Sequence, residues 1–390
     1  FTPANREELT GLMNGLYDSM LTDIAADRHM TPQQARAAIE ATPYVAQRAM
    51  DLHLVDHLGR PEEAQQAAVA LAHNNNAEVV DFDDYRPARS TGGRTIAVVQ
   101  GEGAIVSGPA DDDIFSDNQQ MNSDRVARAL LDASADNDVA AIVFRVNSPG
   151  GSVVASDQIL AALRVARARG KHVVVSMGDV AASGGYYVSA YADEIIAEPT
   201  TITGSIGVLG GKLIIGPAMD HYLSSNTQTL AVGSPLVTMF SSQRPFNPAE
   251  RAAFAGFIDR AYAQFIGLVA DGRHMMRDQA HAVAHGRVWT GQQALERRLV
   301  DSLGGFSDAV ARARALANIP ANASVQLRFY PQAENPFHNL GRAFGASSES
   351  VEALVRLNAA LSDPRVARVM SAMREEDANV RAESQRINLN

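Results

Sequence analysis

The sequence predicts an α/β protein: a mostly parallel sheet with covering helices, preceded by an incomplete second copy of part of the same unit. Three observations lead there. Between residues 95 and 197, continuous apolar runs alternate with helical periodicity, the pattern of strands buried on both faces and joined by right-handed crossovers. Two of those runs end in Gly-rich turns. Residues 1–72 recur in 246–317 at a constant offset of 245, with 25 identities and no gap. At 390 residues and 46% hydrophobic composition, the chain has enough core for two or three domains.

The repeat is exact in its punctuation. Phe1-Thr2-Pro3-Ala4 falls on Phe246-Asn247-Pro248-Ala249, and Arg28-His29-Met30 on Arg273-His274-Met275. The segment Leu54 to Gly59 falls on Leu299 to Gly304 with only Ser302 changed from His57. Leu9, Leu12, Met13, Leu16, Met20 and Ile24 match Phe254, Phe257, Ile258, Ala261, Phe265 and Val269, which predicts one long helix with a buried face in each copy. Ala-rich composition could produce two similar helices, but not two shared loop motifs in one register. About 150 residues precede the second copy and have no counterpart before Phe1, so the first copy is expected to be truncated, with its core upstream. The expected domains are 1–72, the helical end of the first repeat; 73–94, a linker; 95–317, the second repeat; and 318–390, a C-terminal extension.

Within the second repeat, Thr95–Val99 reads as a strand, Asp111–Asn122 as a polar loop and Asp124–Ala133 as a helix. The run Val139–Val146 is a strand buried on both faces, followed by the turn Asn147-Ser148-Pro149-Gly150-Gly151. Ser156–Arg169 is a helix stopped by Gly170. His172–Met177 is a second buried strand, Ala181–Ala192 a short helix of small residues and Glu194–Ala197 another strand. An amphipathic helix is expected around Val351–Met373, before a charged, Asn-rich end.

Composition removes several function classes. A net charge of −10 argues against a nucleic-acid partner, and the absence of Cys excludes a disulfide framework, a thiolate metal site and a Cys nucleophile. Only two of the 34 basic residues are lysines, Lys171 and Lys212. No stretch reaches the roughly 18 apolar residues of a spanning helix. No HExxH, GxSxG or SxxK motif occurs, and no metal or cofactor is expected.

Turns at the C-terminal ends of parallel strands are where open sheets place their sites. Gly150 and Gly151 let backbone N–H groups approach a ligand. Ser183 stands where a helix begins, facing those donors, so it has the ingredients of a nucleophile with an oxyanion hole. The same residues also fit a plain N-cap and a tight turn. Asp56 and Asp301 share LVDxLG contexts that favour a turn role over acid catalysis. His29 and His274 share one too, and Tyr186 and Tyr187 read as packing residues.

The runs RVNSPGGSVVASDQI and SMGDVAASGGYYVSAYADEIIAEPTTITGSIGV resemble the bacterial signal peptide peptidases, the SppA family of serine proteases, over about residues 95–317. The resemblance implies the Clp/crotonase fold of stacked ββα units. By position it implies Ser183 as nucleophile, backbone N–H groups of Gly150, Gly151 and Gly184 as oxyanion hole, and Thr203-Gly204-Ser205 lining a Ser/Lys dyad, with Ser205 nearer the base. A base lysine must be neutral, which desolvation achieves. Single-copy members carry it shortly after the TGSIG region, but Leu230–Phe240 contains none. Two-copy members take it from the first copy, so it is expected upstream of Phe1. Lys212 is the internal alternative. The implied substrates are released signal peptides and other hydrophobic peptides. The implied setting is a homo-oligomer, favoured as a tetramer, anchored by a segment outside this chain to the bacterial inner membrane with its catalytic part facing the periplasm. Two other readings stay open: a non-catalytic pseudo-protease that binds peptides or scaffolds a membrane complex, and a crotonase-type acyl-CoA enzyme.

Overall fold

The computed structural model describes residues 1–73, 77–80, 92–108, 120–224, 227–234 and 236–331. Most of the expected linker, most of the polar loop before Asn122, and the tail helix around 351–373 lie outside them. Phe1–Tyr330 forms one compact unit.

Four helices open the chain: α1 (Pro3–Asp27), α2 (Pro32–Glu40), α3 (Ala46–Asp51) and α4 (Pro61–Leu71). Thr2 and Thr31 cap the first two through their side-chain oxygens, each followed by Pro at the first helical turn. The α/β part follows as β1 (Arg94–Glu102), β2 (Ala104–Val106), β3 (Gln120–Asn122), α5 (Ser123–Ala135), β4 (Val139–Ser148), α6 (Val153–Ala168), β5 (His172–Ala182), α7 (Gly184–Ser189), β6 (Glu194–Ala197) and β7 (Ile202–Gly204). It closes with α8 (Gly216–Leu223), α9 (Pro248–Gly272), α10 (Arg277–Ala282), β8 (Val288–Thr290), α11 (Gly291–Glu296), β9 (Ser302–Leu303), α12 (Phe306–Leu316) and β10 (Val325–Tyr330).

The main sheet runs β10-β1-β4-β5-β6-β9, every neighbouring pair parallel. β7 pairs with the far end of β5, and β8 with β7 in antiparallel fashion. This is the mixed α/β, mostly parallel architecture expected of the Clp type. Alternate residues of each central strand feed two separate cores. Ile142, Phe144, Val173 and Val175 pack under the α5–α6–α7 layer, while Ala141, Val143 and Val174 pack against Ala309 and Ala313 of α12. Burial on both faces is why these strands read as unbroken apolar runs.

Several elements differ from their sequence-based expectation. β5 runs on to Ala182, so α7 begins only at Gly184. Gln120–Asn122, expected as loop, pairs with β2. β10 comes from the expected C-terminal extension yet forms an edge of the main sheet, tied by the Tyr330 hydroxyl and Arg328, which both donate to Asp136. The long helices do not bury a full stripe. In α1, Leu21 and Ala25 are buried against Ala35 of α2, but Leu9, Met13 and Met20 stay exposed. In α9, Ala261, Phe265 and Val269 are buried and Phe257 is exposed. The first half of α1 meets β8 and α11 through the Val288 N–H on Glu8 and the Gln293 amide on the Gly11 carbonyl, contacts that leave its outer apolar residues uncovered among the described residues.

The four helices of each repeated segment fall at matching positions, although α10 is shorter than α2 and only the second segment adds the strands β8 and β9. α1 and α9 are both 25 residues long at the offset of 245, and α4 and α12 are both 11. Arg28 forks onto Asp56 and donates to the His53 carbonyl; Arg273 forks onto Asp301 and donates to the Arg298 carbonyl. Asp301 also accepts from the Ile195 N–H, which ties the loop to β6. Among the described residues no helix is long and apolar enough to cross a membrane.

Candidate active site

Ser183 is the single residue between β5 and α7. Its backbone sits at φ 52°, ψ −117°, a region that a non-glycine residue holds only when its surroundings enforce it. The enforcement is visible. The Ser183 N–H donates to the Gly204 carbonyl on β7, and the Ser183 carbonyl accepts from the Tyr187 N–H, both at 2.9 Å. The whole of α7 is buried, and the Tyr186 hydroxyl donates to the Leu299 carbonyl at 2.8 Å, anchoring the helix from below. Burial pushes the Tyr186 phenol well above its ordinary range, so it stays a neutral donor.

Opposite Ser183 lies the turn after β4. Gly150 (φ 100°) and Gly151 (φ 155°) need the conformations that glycine supplies, and they also need its missing side chain. A Cβ on Gly150 would stand 2.6 Å from the Gly184 nitrogen and 2.7 Å from Ser183 Cβ. A Cβ on Gly184 would stand 3.2 Å from the Gly151 nitrogen. β2 holds the turn there: the Ile105 N–H donates to Gly150 and the Ser152 N–H to Ile105, each at 2.9 Å.

These bonds sort the three glycines expected to form an oxyanion hole. The Gly150 N–H is taken by Ser148 Oγ at 3.1 Å. Among the described residues nothing accepts from the Gly151 or Gly184 N–H. The free donor pair beside Ser183 is therefore Gly151 and Gly184, and Gly150 contributes close approach instead of a hydrogen bond.

The Thr203-Gly204-Ser205 segment divides in the same way. Thr203 is buried and its hydroxyl donates to the Ala181 carbonyl at 2.7 Å, which binds β7 to β5. Gly204 receives the Ser183 N–H and leaves room for Trp289. Ser205 alone lines the open cleft that holds Ser183, a space of about 660 Å³.

Neither lysine lines the spaces that contain Ser183. Lys171 precedes β5 and donates to the carbonyls of Asp136 and Val139, whereas Ser183 follows the other end of that 11-residue strand, roughly 35 Å away. Lys212 donates to the Met239 carbonyl at 2.8 Å and lies 4.4 Å from the centre of the Phe246 ring. The cleft also contains residues that no motif announced: Tyr262 from α9, and His285, whose ring centre lies 4.2 Å from that of His281 with the planes tilted by 54°. Asp157, Tyr187 and Gln264 form a further cluster behind Ser183, brought together from α6, α7 and α9. Their separation in sequence left no pattern to read.

The model of peptidase family S49 matches residues 1–75 and again 165–320, well over half the chain. The chain belongs to peptidase family S49. The Clp protease model matches residues 113–201, the stretch carrying both Gly-rich turns. Within the family the chain is 38% identical to "Protease 4" of Salmonella typhi over 332 residues, covering 82% of this chain and 52% of that one. It is 33% identical to "Protease 4" of Haemophilus influenzae over 293 residues, 73% of this chain and 46% of that one. It is 29% identical to the chloroplastic serine protease SPPA of Arabidopsis thaliana over 334 residues, 83% and 48%. The chain thus spans about half the length of these S49 relatives. The first S49 match spans the first repeated segment, and the second, 165–320, contains the second segment together with Ser183.

Proposed function

We propose that the chain carries the nucleophilic half of a Ser/Lys endopeptidase that degrades released signal peptides and other hydrophobic peptides. One observation supports it above the rest: Ser183 is forced into a strained backbone conformation directly opposite two unclaimed N–H groups, Gly151 and Gly184. In this reading Ser183 Oγ attacks the scissile carbonyl and the two N–H groups stabilise the oxyanion that forms. The general base is a lysine that these 390 residues do not contain, since Lys171 and Lys212 are both committed elsewhere. The two repeated segments are then read as parts of tandem copies, with the base supplied by the first copy and the serine by the second, or by another subunit. A homo-tetramer at the inner membrane, facing the periplasm, is part of the same proposal and rests on the SppA resemblance.

The test is hydrolysis of a hydrophobic reporter peptide by the protein as its own gene encodes it, with and without Ser183→Ala. Loss of hydrolysis by at least 10³-fold is expected, with no change in melting temperature. Retained hydrolysis refutes the assignment. An unaltered biological function in Ser183→Ala cells would favour the non-catalytic peptide-binding reading, which the hydrogen bonds from both lysines to backbone carbonyls also fit.

A further inference from the structure

The two unclaimed donors beside Ser183 belong to different elements. The Gly151 N–H lies two residues before α6, and the Gly184 N–H opens α7. Among the described residues one hydrogen bond joins these two helices: the Tyr187 hydroxyl of α7 donates to Asp157 of α6 at 2.9 Å. We infer that Tyr187 and Asp157 are positioning residues, whose bond sets the spacing between the Gly151 and Gly184 N–H groups. The inference rests on Ser183 being the nucleophile.

The bond is placed to act on both donors. Asp157 follows Gly151 within about two helical turns, and Tyr187 follows Gly184 within about one. Tyr187 also gives its own N–H to the Ser183 carbonyl at 2.9 Å, so its side chain holds α6 while its backbone holds the nucleophile. The other contacts between α6 and α7 lack direction. Ile159, Leu160 and Leu163 share one apolar core with Tyr186 and Val188. Ser156 packs on Gly184, where a Cβ would stand 2.7 Å from its Oγ, but its hydroxyl is spent on the Ser152 carbonyl. The Tyr186 hydroxyl ties α7 to the Leu299 carbonyl, not to α6. Apolar packing is non-directional, whereas a hydrogen bond fixes both a distance and an angle. Tenths of an ångström count here, because oxyanion donors work within about 2.7–3.1 Å.

The bond is itself braced. The Tyr187 ring is buried and meets Phe265 edge to face, ring centres 5.0 Å apart at 62°. Its hydroxyl accepts from the Gln264 amide at 3.0 Å, so α9 holds the same oxygen from a third side. Burial and the Asp157 carboxylate push the Tyr187 phenol up to about 12, which keeps it the donor at any working pH. Asp157 is exposed, so its carboxylate can be removed without opening a cavity in the core.

The experiment uses the protein as its own gene encodes it, a hydrophobic reporter peptide, and a peptide aldehyde of the same sequence whose adduct with a serine offers an oxygen to the same donors. Tyr187→Phe removes one oxygen and keeps the ring. Expected is a kcat lower by roughly 10-fold with KM within about threefold, because the oxyanion donors act in the transition state and not on bound substrate. The aldehyde binds more weakly by the same factor. Asp157→Ala reproduces the loss at an exposed position, and Asp157→Asn, which keeps an oxygen acceptor, stays within about threefold of the unmodified protein. The double variant Tyr187→Phe with Asp157→Ala loses no more than either single one, as expected of two partners in one bond. Unchanged kcat and aldehyde affinity in both single variants overturn the inference, even where the melting temperature falls. So does a rise in KM alone, which marks a wall of the binding site, and so do losses that add in the double variant. Ser183→Ala separates the two layers: if it abolishes hydrolysis while Tyr187→Phe and Asp157→Ala leave kcat intact, the nucleophile stands and the positioning falls. If Ser183→Ala leaves hydrolysis intact, both fall.

Discussion

Adding one methyl group at Gly150 should separate catalysis from folding. A Cβ there lies 2.6 Å from the Gly184 nitrogen and 2.7 Å from Ser183 Cβ, against an ordinary contact of about 3.5 Å. The turn and the start of α7 must part by nearly 1 Å. Oxyanion donors work within a window of about 2.7–3.1 Å, so a displacement of that size takes at least one N–H out of range. Loss of one donor costs about 10²–10³ in kcat. Holding alanine at φ 100° adds about 1–3 kcal/mol of strain, which a domain with about 5–15 kcal/mol of stability survives. Gly170→Ala is the matched control: it also has positive φ, 81°, but no atom lies within 4 Å of its added Cβ. Both variants should lose stability in a urea titration, and only Gly150→Ala should lose kcat/KM on the reporter peptide, by at least 100-fold relative to Gly170→Ala. Activity within threefold of Gly170→Ala, in a folded protein, refutes the claim that this close approach builds the oxyanion site.

Three further outcomes are expected. Arg273→Ala should destabilise the protein by about 3 kcal/mol in urea, because its guanidinium is 7% exposed and leaves Asp301 without its partner, while Arg28→Ala at the repeat-equivalent position should have little effect, since Asp56 is 72% exposed. Equal effects would show that the two clamps do the same structural work. The Arg244 fork and the Asn247 N–H hold the enclosed Glu250 carboxyl down to about 2, below its ordinary value of 4.5, so its contribution to stability is complete above about pH 4.5 and lost as pH falls toward 2. The urea-midpoint advantage of the unmodified protein over Glu250→Gln should shrink across that window, and a margin independent of pH counts against the pairing. Lys212→Met should keep kcat/KM within threefold, because its ammonium serves the Met239 carbonyl and the Phe246 ring; a loss above 100-fold with an intact fold would make Lys212 the base.

The strand–helix alternation and the tight turns around Gly150 and Ser183 were legible because their residues are local. Apolar runs such as Val139–Val146 report two-sided burial directly, and the paired glycines at 150–151 and 184–185 report close backbone approach. Other features were not local. β10 joins the sheet through partners more than 190 residues away, so its amphipathic run Val325–Tyr330 carried no sign of its neighbour β1. The exposed stripe of α1 misled for a related reason: periodicity records that a face is apolar, not that the described residues cover it. Thr203 and Ser205 sit two apart in one motif, yet one hydroxyl is consumed inside the sheet and the other faces the cleft. Only the register of β7 on β5 decides between them.

The position of α1 bears on the proposed sharing of a site between the two repeated segments. Its first turns rest on β8 and α11, where Glu8 accepts from Val288 and the Gly11 carbonyl accepts from Gln293, and the space of about 450 Å³ between them is bordered by His285. His285 also lines the Ser183 cleft, so one residue separates the first segment's docking surface from the second segment's candidate site. In this structure α1, from the first repeated segment, borders a space that shares His285 with the Ser183 cleft. That is the geometry required if a base from one copy is to serve a serine in the other. The proposed sharing would also account for Ser183 standing beside two unclaimed N–H groups in a chain whose own two lysines donate to carbonyls elsewhere.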